Sequence, residues 1–399
     1  MRVMFTQRLH GIAGSERYLM AIMPEMARRG VDVSFLMIRR AQPNDAENFV
    51  IAELEKAGVR TRVIETRRPV SVPLLWSFRD ILRAERPDIL QTNLLHSDVY
   101  GAVVKSTLSR PPILVSCKHG YQEAYQTAHG FDPTRLCFDA FSATTWLAAR
   151  NADAVTPIST GLGTLLVEGR LVGREKVRVI PYGFDFSHEP SGGAPGAFRY
   201  GERQIVSVGR HVAVKQLHVL INAMPRLRKS FPDVKLVLVG DGPDRGALEQ
   251  LAWRNGVSEQ VVFVGFQNNV LDYIRDSDIF ALSSAAEGFG RVILEAWWHR
   301  KAVVCFDVPA PNEIVTHDRD GLLVPARDQE AFAAALESLL ADPQRMMRLG
   351  EAGRKTYEEN FTMGIMVDRT IALYEELLGR KERRGLVDGG KTTSSAPRP

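Results

Sequence analysis

A chain of 399 residues is too long for one ordinary hydrophobic core and suits two domains of about 150–200 residues each. Its 45% apolar and 25% charged residues fit a globular protein and exclude a fibrous or disordered class, and a net charge of +4 does not point to a nucleic-acid partner. No apolar run approaches the roughly 18 residues of a membrane-spanning helix, and the start, MRVMFTQRLHG, is too short in apolar residues for a signal peptide, so a cytoplasmic chain is expected.

Short β-like runs alternate with helix-like stretches. RVMFTQ (2–7) precedes an amphipathic stretch from Ser15 to Arg29, and VDVSFLMI (31–38) precedes a helix near 44–57. VRTRVIE, a helix near 73–85, DILQTN, a helix near 98–109 and ILVSCKH (113–119) follow. A helix near 133–150, AVTPIS, a helix near 161–169 and VRVIPYG (177–183) complete the first half. The Gly-, Pro- and Ser-rich stretch 186–203 reads as a linker. The rhythm restarts with QIVSVGR (204–210), KLVLVGD (235–241), VVFVGF (261–266) and DIFALS (278–283), each followed by helical sequence, then AVVCFD (302–307) and GLLVPA (321–326), which precedes three helical stretches. This pattern predicts α/β architecture: two Rossmann-like, doubly wound domains, 1–185 and 204–360, facing across a cleft. A helix over 361–380 is expected to cross back to the first domain, and the tail 381–399 to be disordered.

In such sheets ligands lie beyond the carboxyl ends of the strands, and the notable residues fall there. EGFGRVILEA (287–296) turns a strand into a helix between Glu287 and Glu295. Its glycines let a backbone approach a ligand, and unpaired helix-start N–H groups bind anions. A carboxylate can accept from two vicinal hydroxyls. GRHVAVKQ (209–216) sets Arg210 and Lys215 at another strand end, a pair suited to a diphosphate. GDGPDRG (240–246) has the wrong spacing for a dinucleotide fingerprint and reads as a turn. In GIAGSER (11–17), Gly11 and Gly14 would bring N–H groups to a ligand between the domains. His119 ends a strand beside Lys118 and Gly120; His96 and then His10 are weaker candidates on the acceptor side. Trp297 and Trp298 read as core packing, and the Asp-x-Asp pairs 276–278 and 318–320 as turn and capping chemistry. Three scattered cysteines without a CxxC pair fit a reducing compartment and argue against a structural metal site. Residues 67–86 combine Trp76 and Phe78 with five arginines; they read either as a sheet-covering helix or as a contact with an anionic membrane.

Taken in order, GRHVAVKQ, VLVGDGPDR, FVGFQNN, EGFGRVILEA and PNEIV…DGLLVP resemble the retaining glycosyltransferases of family 4, which have the two-domain GT-B fold. The resemblance implies transfer of a sugar from a UDP- or GDP-type nucleotide-sugar donor to a glycan or lipid-linked acceptor, with no resident cofactor and no metal. It implies that Arg210 and Lys215 neutralise the diphosphate, Glu295 grips the ribose and Glu287 contacts the donor sugar. The backbone of Gly288, Phe289 and Gly290 would hold phosphate or sugar hydroxyls, Phe266 and Gln267 the base, and Glu313 would lie near the donor. His119 matches a histidine near the reacting sugar, and Gly14 the glycine loop that meets the phosphate. The chain departs from the family at Gly11-Ile-Ala-Gly14, where two adjacent glycines are usual, and at VPAPNEIV, where prolines replace a glycine-rich turn. A nucleotide-sugar epimerase of the same fold and a non-catalytic sugar-nucleotide-binding scaffold are the alternatives.

Overall fold

The computed structural model describes residues 1–9, 14–40, 45–66, 71–120, 126–127, 130–131, 140–187, 189 and 192–389. Strands of the first half are β1 (Arg2–Arg8), β2 (Asp32–Arg40), β3 (Arg60–Thr66), β4 (Ile89–Asn93), β5 (Ile113–Lys118), a small antiparallel pair β6 (Gln126–Thr127) and β7 (Gly130–Phe131), and β8 (Ala154–Pro157). Between them run α1 (Gly14–Arg28), α2 (Asp45–Lys56), α3 (Val72–Glu85), α4 (Leu94–Lys105) and α5 (Ala140–Asn151), and α6 (Thr160–Glu168) follows β8. The sheet order is β3-β2-β1-β4-β5-β8, all parallel. Every residue of β4 and β5 is buried, as both faces of a helix-covered parallel sheet require.

The second half repeats the plan with β9 (Arg203–Val208), β10 (Val234–Val239), β11 (Val261–Gly265), β12 (Ile279–Leu282), β13 (Ala302–Asp307) and β14 (Leu322–Pro325) in the order β11-β10-β9-β12-β13-β14. Its helices are α7 (His218–Ser230), α8 (Arg245–Arg254), α9 (Val270–Arg275), α10 (Arg291–Trp298), α11 (Pro311–Ile314), α12 (Gln329–Ala341), α13 (Pro343–Asn360) and α14 (Met363–Gly389). Both sheets therefore reverse winding direction beside their first strand, between β1 and β4 and between β9 and β12. A crevice opens at such switch points.

Local departures from the sequence reading have physical causes. VRVIPYG is extended but joins β8 through one bridge, Val155–Val177, and adds no strand to the sheet. α4 starts directly at Leu94, whose φ of +64° is uncommon outside glycine, so the corner after β4 is tighter than the pattern suggested. α14 continues to Gly389, because Lys-Glu-Arg-Arg is good helix-forming sequence; disorder over 381–389 is thus corrected, and 390–399 lie outside the described residues. In α3, Leu74, Phe78 and Leu82 are buried at i, i+4 and i+8 and cover the sheet, while Trp76 is 56% exposed. Arg67 and Arg68 lie outside the described residues. No helix among the described residues is long and apolar enough to cross a membrane.

An aromatic seam joins the two halves. Tyr182 packs on Tyr18 of the first domain and on Phe289 of the second at centroid distances of 5.3 and 5.4 Å. Phe184 and Phe186 continue it to Trp298. The linker is docked as well: Gly192 and Phe198 donate backbone N–H bonds to Asp272 and Asp276, and the Phe198 ring lies 4.4 Å from Tyr273. α14 returns to the first domain, where Asp368 pairs with Arg29 just past α1 and Lys381 reaches the Pro111 carbonyl.

Candidate functional site

Two corners of the second sheet build one wall of the cleft. After β9 the chain turns through Gly209–Gln216, and after β12 through Ser283–Gly290. They are tied together: Ala285 donates its N–H to the Val214 carbonyl at 2.8 Å, and the Ser283 hydroxyl donates to the Lys215 carbonyl at 2.9 Å. Gly240 and Gly242 of the neighbouring turn press against the first corner. A Cβ on either would lie 2.0 Å from the Gly209 carbonyl oxygen or 2.3 Å from that of His211, so the GDG stretch is a packing requirement here.

This scaffold brings Lys215 and Glu287 together. The Lys215 Nζ lies 2.5 Å from Glu287 Oε1, and the Ser284 hydroxyl donates to the same oxygen at 2.6 Å. Both charged side chains are largely buried. Arg210, one residue past Gly209, is exposed at the same strand end. Gly290 caps α10 with φ +91°, a conformation that favours glycine, and no side chain caps the N-terminal amides of α10.

Glu295 stands one turn into α10 and is 7% exposed. Its partner is Arg291 at 3.2 Å, which also binds Glu189 of the linker at 2.6 Å; Glu189 in turn lies 3.7 Å from Arg17 of α1. Burial raises the pKa of the Glu295 carboxyl, and Arg291 opposes that rise. The Arg291 guanidinium rests 4.8 Å from the Phe184 ring centre. Beyond β11, Phe266 is 75% exposed at the strand end, a flat apolar surface facing water, and Gln267 donates to the Val264 carbonyl.

The first domain meets this wall at His119–Gly120. A Cβ on Gly288 would stand 3.7 Å from Gly120 Cα and 3.9 Å from the His119 carbonyl oxygen, so the EGFG corner and the end of β5 are neighbours across the cleft. The His119 ring is held at both nitrogens: Nδ1 lies 2.5 Å from the Tyr182 hydroxyl and Nε2 2.9 Å from Asn93 Oδ1. Desolvation pushes its pKa down to about 3, with Lys118 adding to the effect. The imidazole is therefore neutral, and it cannot move a proton without giving up a protein partner. Lys118 itself is taken up by Asp98 at 2.5 Å.

Glu313, expected near the donor, is engaged with the first domain in the free protein. The one-turn α11, opened by Pro311, aims it at the other domain, where its two oxygens accept from the Thr160 and Gly161 N–H groups at 2.5 and 2.6 Å. It thus caps α6 across the cleft, next to the local cap Ser159. Gly14 opens α1, and His96 sits in the first turn of α4. His10 and Gly11 lie outside the described residues. The Asp-x-Asp pairs are structural: Asp278 binds Arg199 and the Gln204 N–H, and Asp320 the Thr316 N–H and Thr356 hydroxyl. Trp297 is fully buried, its indole bonded to the Asp320 carbonyl. No three His, Cys, Asp or Glu side chains among the described residues are placed to hold a metal ion. Asn93, Tyr182, Ser284, Arg291 and Glu189 were missed from sequence; of these only Asn93, ending DILQTN, carried a signal, its place at a strand's carboxyl end.

Comparison with known proteins agrees with this geometry. Residues 13–183 match the family described as glycosyl transferase 4-like domain, and residues 194–356 that described as glycosyl transferases group 1. The chain is 28% identical over 369 residues to the lipopolysaccharide core biosynthesis glycosyltransferase LpsE of Rhizobium meliloti, covering 90% of this chain and 95% of that one. It is 34% identical over 220 residues to the GDP-mannose-dependent alpha-(1-6)-phosphatidylinositol monomannoside mannosyltransferase of Mycolicibacterium smegmatis, covering 51% of this chain and 57% of that one. Among solved structures, Anabaena Alr3699/HepE in complex with UDP superposes with a TM-score of 0.77 at 20% identity over 94% of this chain and all of that one.

Proposed function

The chain belongs to the GT-B-fold glycosyltransferases of family 4, the glycosyl transferases of group 1, and on that premise we propose that it moves a sugar, with retained anomeric configuration, from a UDP- or GDP-sugar to a glycan or lipid-linked acceptor. The product would enter a cell-surface polysaccharide or lipopolysaccharide, the setting of LpsE. The observation that carries the reading is the Lys215–Glu287 pair at the β9/β12 switch point, facing His119 and Gly120.

As the bond between the anomeric carbon and the diphosphate breaks, its electron pair stays with the phosphate oxygen. Lys215, Arg210 and the amides of α10 take up that growing charge, so the transfer runs without a metal or a resident cofactor. The acceptor hydroxyl oxygen forms the new bond to the anomeric carbon, and its proton passes to the departing diphosphate oxygen. Glu287 binds hydroxyls of the departing sugar, Glu295 those of the ribose, and Phe266 with Gln267 the base. His119 lines the first-domain side of the sugar pocket as a neutral, fixed side chain.

A lipid-linked acceptor would bring the enzyme to an anionic membrane. The outer surface of the first domain offers Trp76 on α3 and Trp146 on α5, 56% and 42% exposed, each with an arginine over its ring. α4 packs between these helices. Flotation with anionic vesicles should recover the protein, and no recovery would count against this surface. The reading as a whole is tested by turnover of a panel of UDP- and GDP-sugars with lipid-linked and free glycans, scored for product linkage. Epimer formed without acceptor would replace transfer by epimerisation, and binding of a sugar nucleotide without turnover would leave a scaffold.

A further inference from the structure

α14 begins after the second domain yet ends a buried hydrogen-bond chain beneath His119. We propose that Tyr374 of α14 is a positioning residue for His119, and that its hydroxyl, acting through Gln91, supports the Asn93 orientation that decides which ring nitrogen of that histidine carries the proton. The idea rests on the reading of His119 as a wall of the sugar pocket.

The members are Tyr374, Gln91 and Asn93, at most 1% exposed, with Tyr18 and Tyr182 at 5%. Tyr374 donates its O–H to Gln91 Oε1. That leaves the Gln91 amide nitrogen as donor to the Tyr18 hydroxyl at 2.9 Å and to Asn93 Oδ1 at 3.5 Å. The Asn93 amide nitrogen donates to the Thr6 carbonyl at 3.4 Å. Asn93 Oδ1 is then an acceptor toward His119, so Nε2 must carry the ring proton. Nδ1 accepts from Tyr182, a group that can serve as donor or acceptor and does not decide the tautomer. Burial raises the pKa of all three phenols, which keeps them protonated.

The Thr6 carbonyl can only accept, so it sets the direction at Asn93, and the Tyr374 hydroxyl keeps the Gln91 amide turned the matching way. Without it, the Gln91 amide loses the donor that holds Oε1 in place and can turn over. A reversed amide sets Oε1 against Asn93 Oδ1, two acceptors face to face, and Asn93 is then held by the long bond to Thr6 and by His119 itself. A reversed Asn93 presents N–H to Nε2 and moves the ring proton to Nδ1.

The test is Tyr374→Phe in the full chain, with imidazole nitrogen NMR of His119 as the primary readout. The wild type should show one neutral tautomer with the proton on Nε2, and the variant a mixture of both. Gln91→Met, which breaks the middle link without touching α14, should give the same mixture. Tyr18→Phe removes a buried hydroxyl that accepts from Gln91 but lies off the path from Tyr374 to His119, and should leave the tautomer unchanged. Turnover by Tyr374→Phe should fall by about 3- to 10-fold in kcat with the donor KM unaltered. A wild-type proton on Nδ1, or a tautomer untouched in both Tyr374→Phe and Gln91→Met, overturns the proposal. A shifted tautomer with full turnover upholds the chain and removes His119 from the transfer reaction instead.

Discussion

Replacing Lys215 by methionine should separate a structural from a catalytic contribution of one ammonium. In the free protein Lys215 and Glu287 are 2.5 Å apart, with side chains 21% and 12% exposed. Methionine keeps the apolar stem and removes the charge, leaving a largely buried carboxylate with the Ser284 hydroxyl as its partner. Breaking such a partly buried pair costs about 2 kcal/mol, less than the roughly 3–5 kcal/mol of a fully buried one. In a domain of this size that lowers the melting temperature by about 4–8 °C. Changing Glu287 to glutamine as well removes the stranded charge, so the double variant should recover to within about 0.5 kcal/mol of wild type. Turnover behaves differently. The single variant should lose roughly 100- to 1000-fold in kcat/KM, because the charge leaving with the diphosphate loses its cation, and the second substitution restores none of it. Calorimetry without ligand and steady-state kinetics read the two quantities separately. A double variant that melts as low as Lys215→Met, or a single variant with wild-type turnover, would refute the reasoning.

Three further outcomes are expected. Glu313→Gln weakens the cap on α6 by about 1 kcal/mol, so the free protein should have a larger radius of gyration in small-angle scattering, and an unchanged radius would remove Glu313 from the domain contact. Phe266→Ala should leave stability within about 0.5 kcal/mol while lowering nucleoside diphosphate affinity by about 10-fold in calorimetric titration; unchanged affinity would place the base elsewhere. His119 has a folded pKa of about 3, below its unfolded value, so the unfolded chain binds the extra proton between those values and stability falls as pH drops through that window. His119→Gln should flatten this loss by about 1–2 kcal/mol between pH 7.5 and 5, and equal slopes for the two proteins would show that the imidazole is not held neutral.

Sheets and switch points were legible because their causes are local. An unbroken apolar run such as ILVSCK can only be a strand buried on both faces, and a glycine corner after it marks the carboxyl edge. Lys215 and Glu287 were found from that placement. Their pairing was not, since it spans 72 positions and depends on two loops being bonded together. Glu313 and Thr160 are 153 positions apart, and Tyr374 and Gln91 are 283 apart. Such contacts depend on how the domains close and where α14 lands, which no periodicity encodes. Glu313 shows the consequence: its motif suggested a place near a ligand, and its bonds to the start of α6 could not be read from that motif.

The charges of the free cleft are already matched, and this constrains what can enter. Lys215 is held by Glu287, and Arg291 by Glu189 and Glu295. An anion that draws Lys215 away strands Glu287 in a site where a lone carboxylate is costly. A ligand is therefore favoured only if it offers an anion to the lysine and hydroxyl donors to the glutamate together. A nucleotide sugar carries both, whereas a nucleoside diphosphate carries the first alone. Under the proposed transfer, the diphosphate would remain beside Lys215 while Glu287 had lost the sugar hydroxyls, so the pair that selects the donor would also weaken the hold on the product. On that proposal, the Lys215–Glu287 contact is the resting state to which the site would return when the nucleotide leaves.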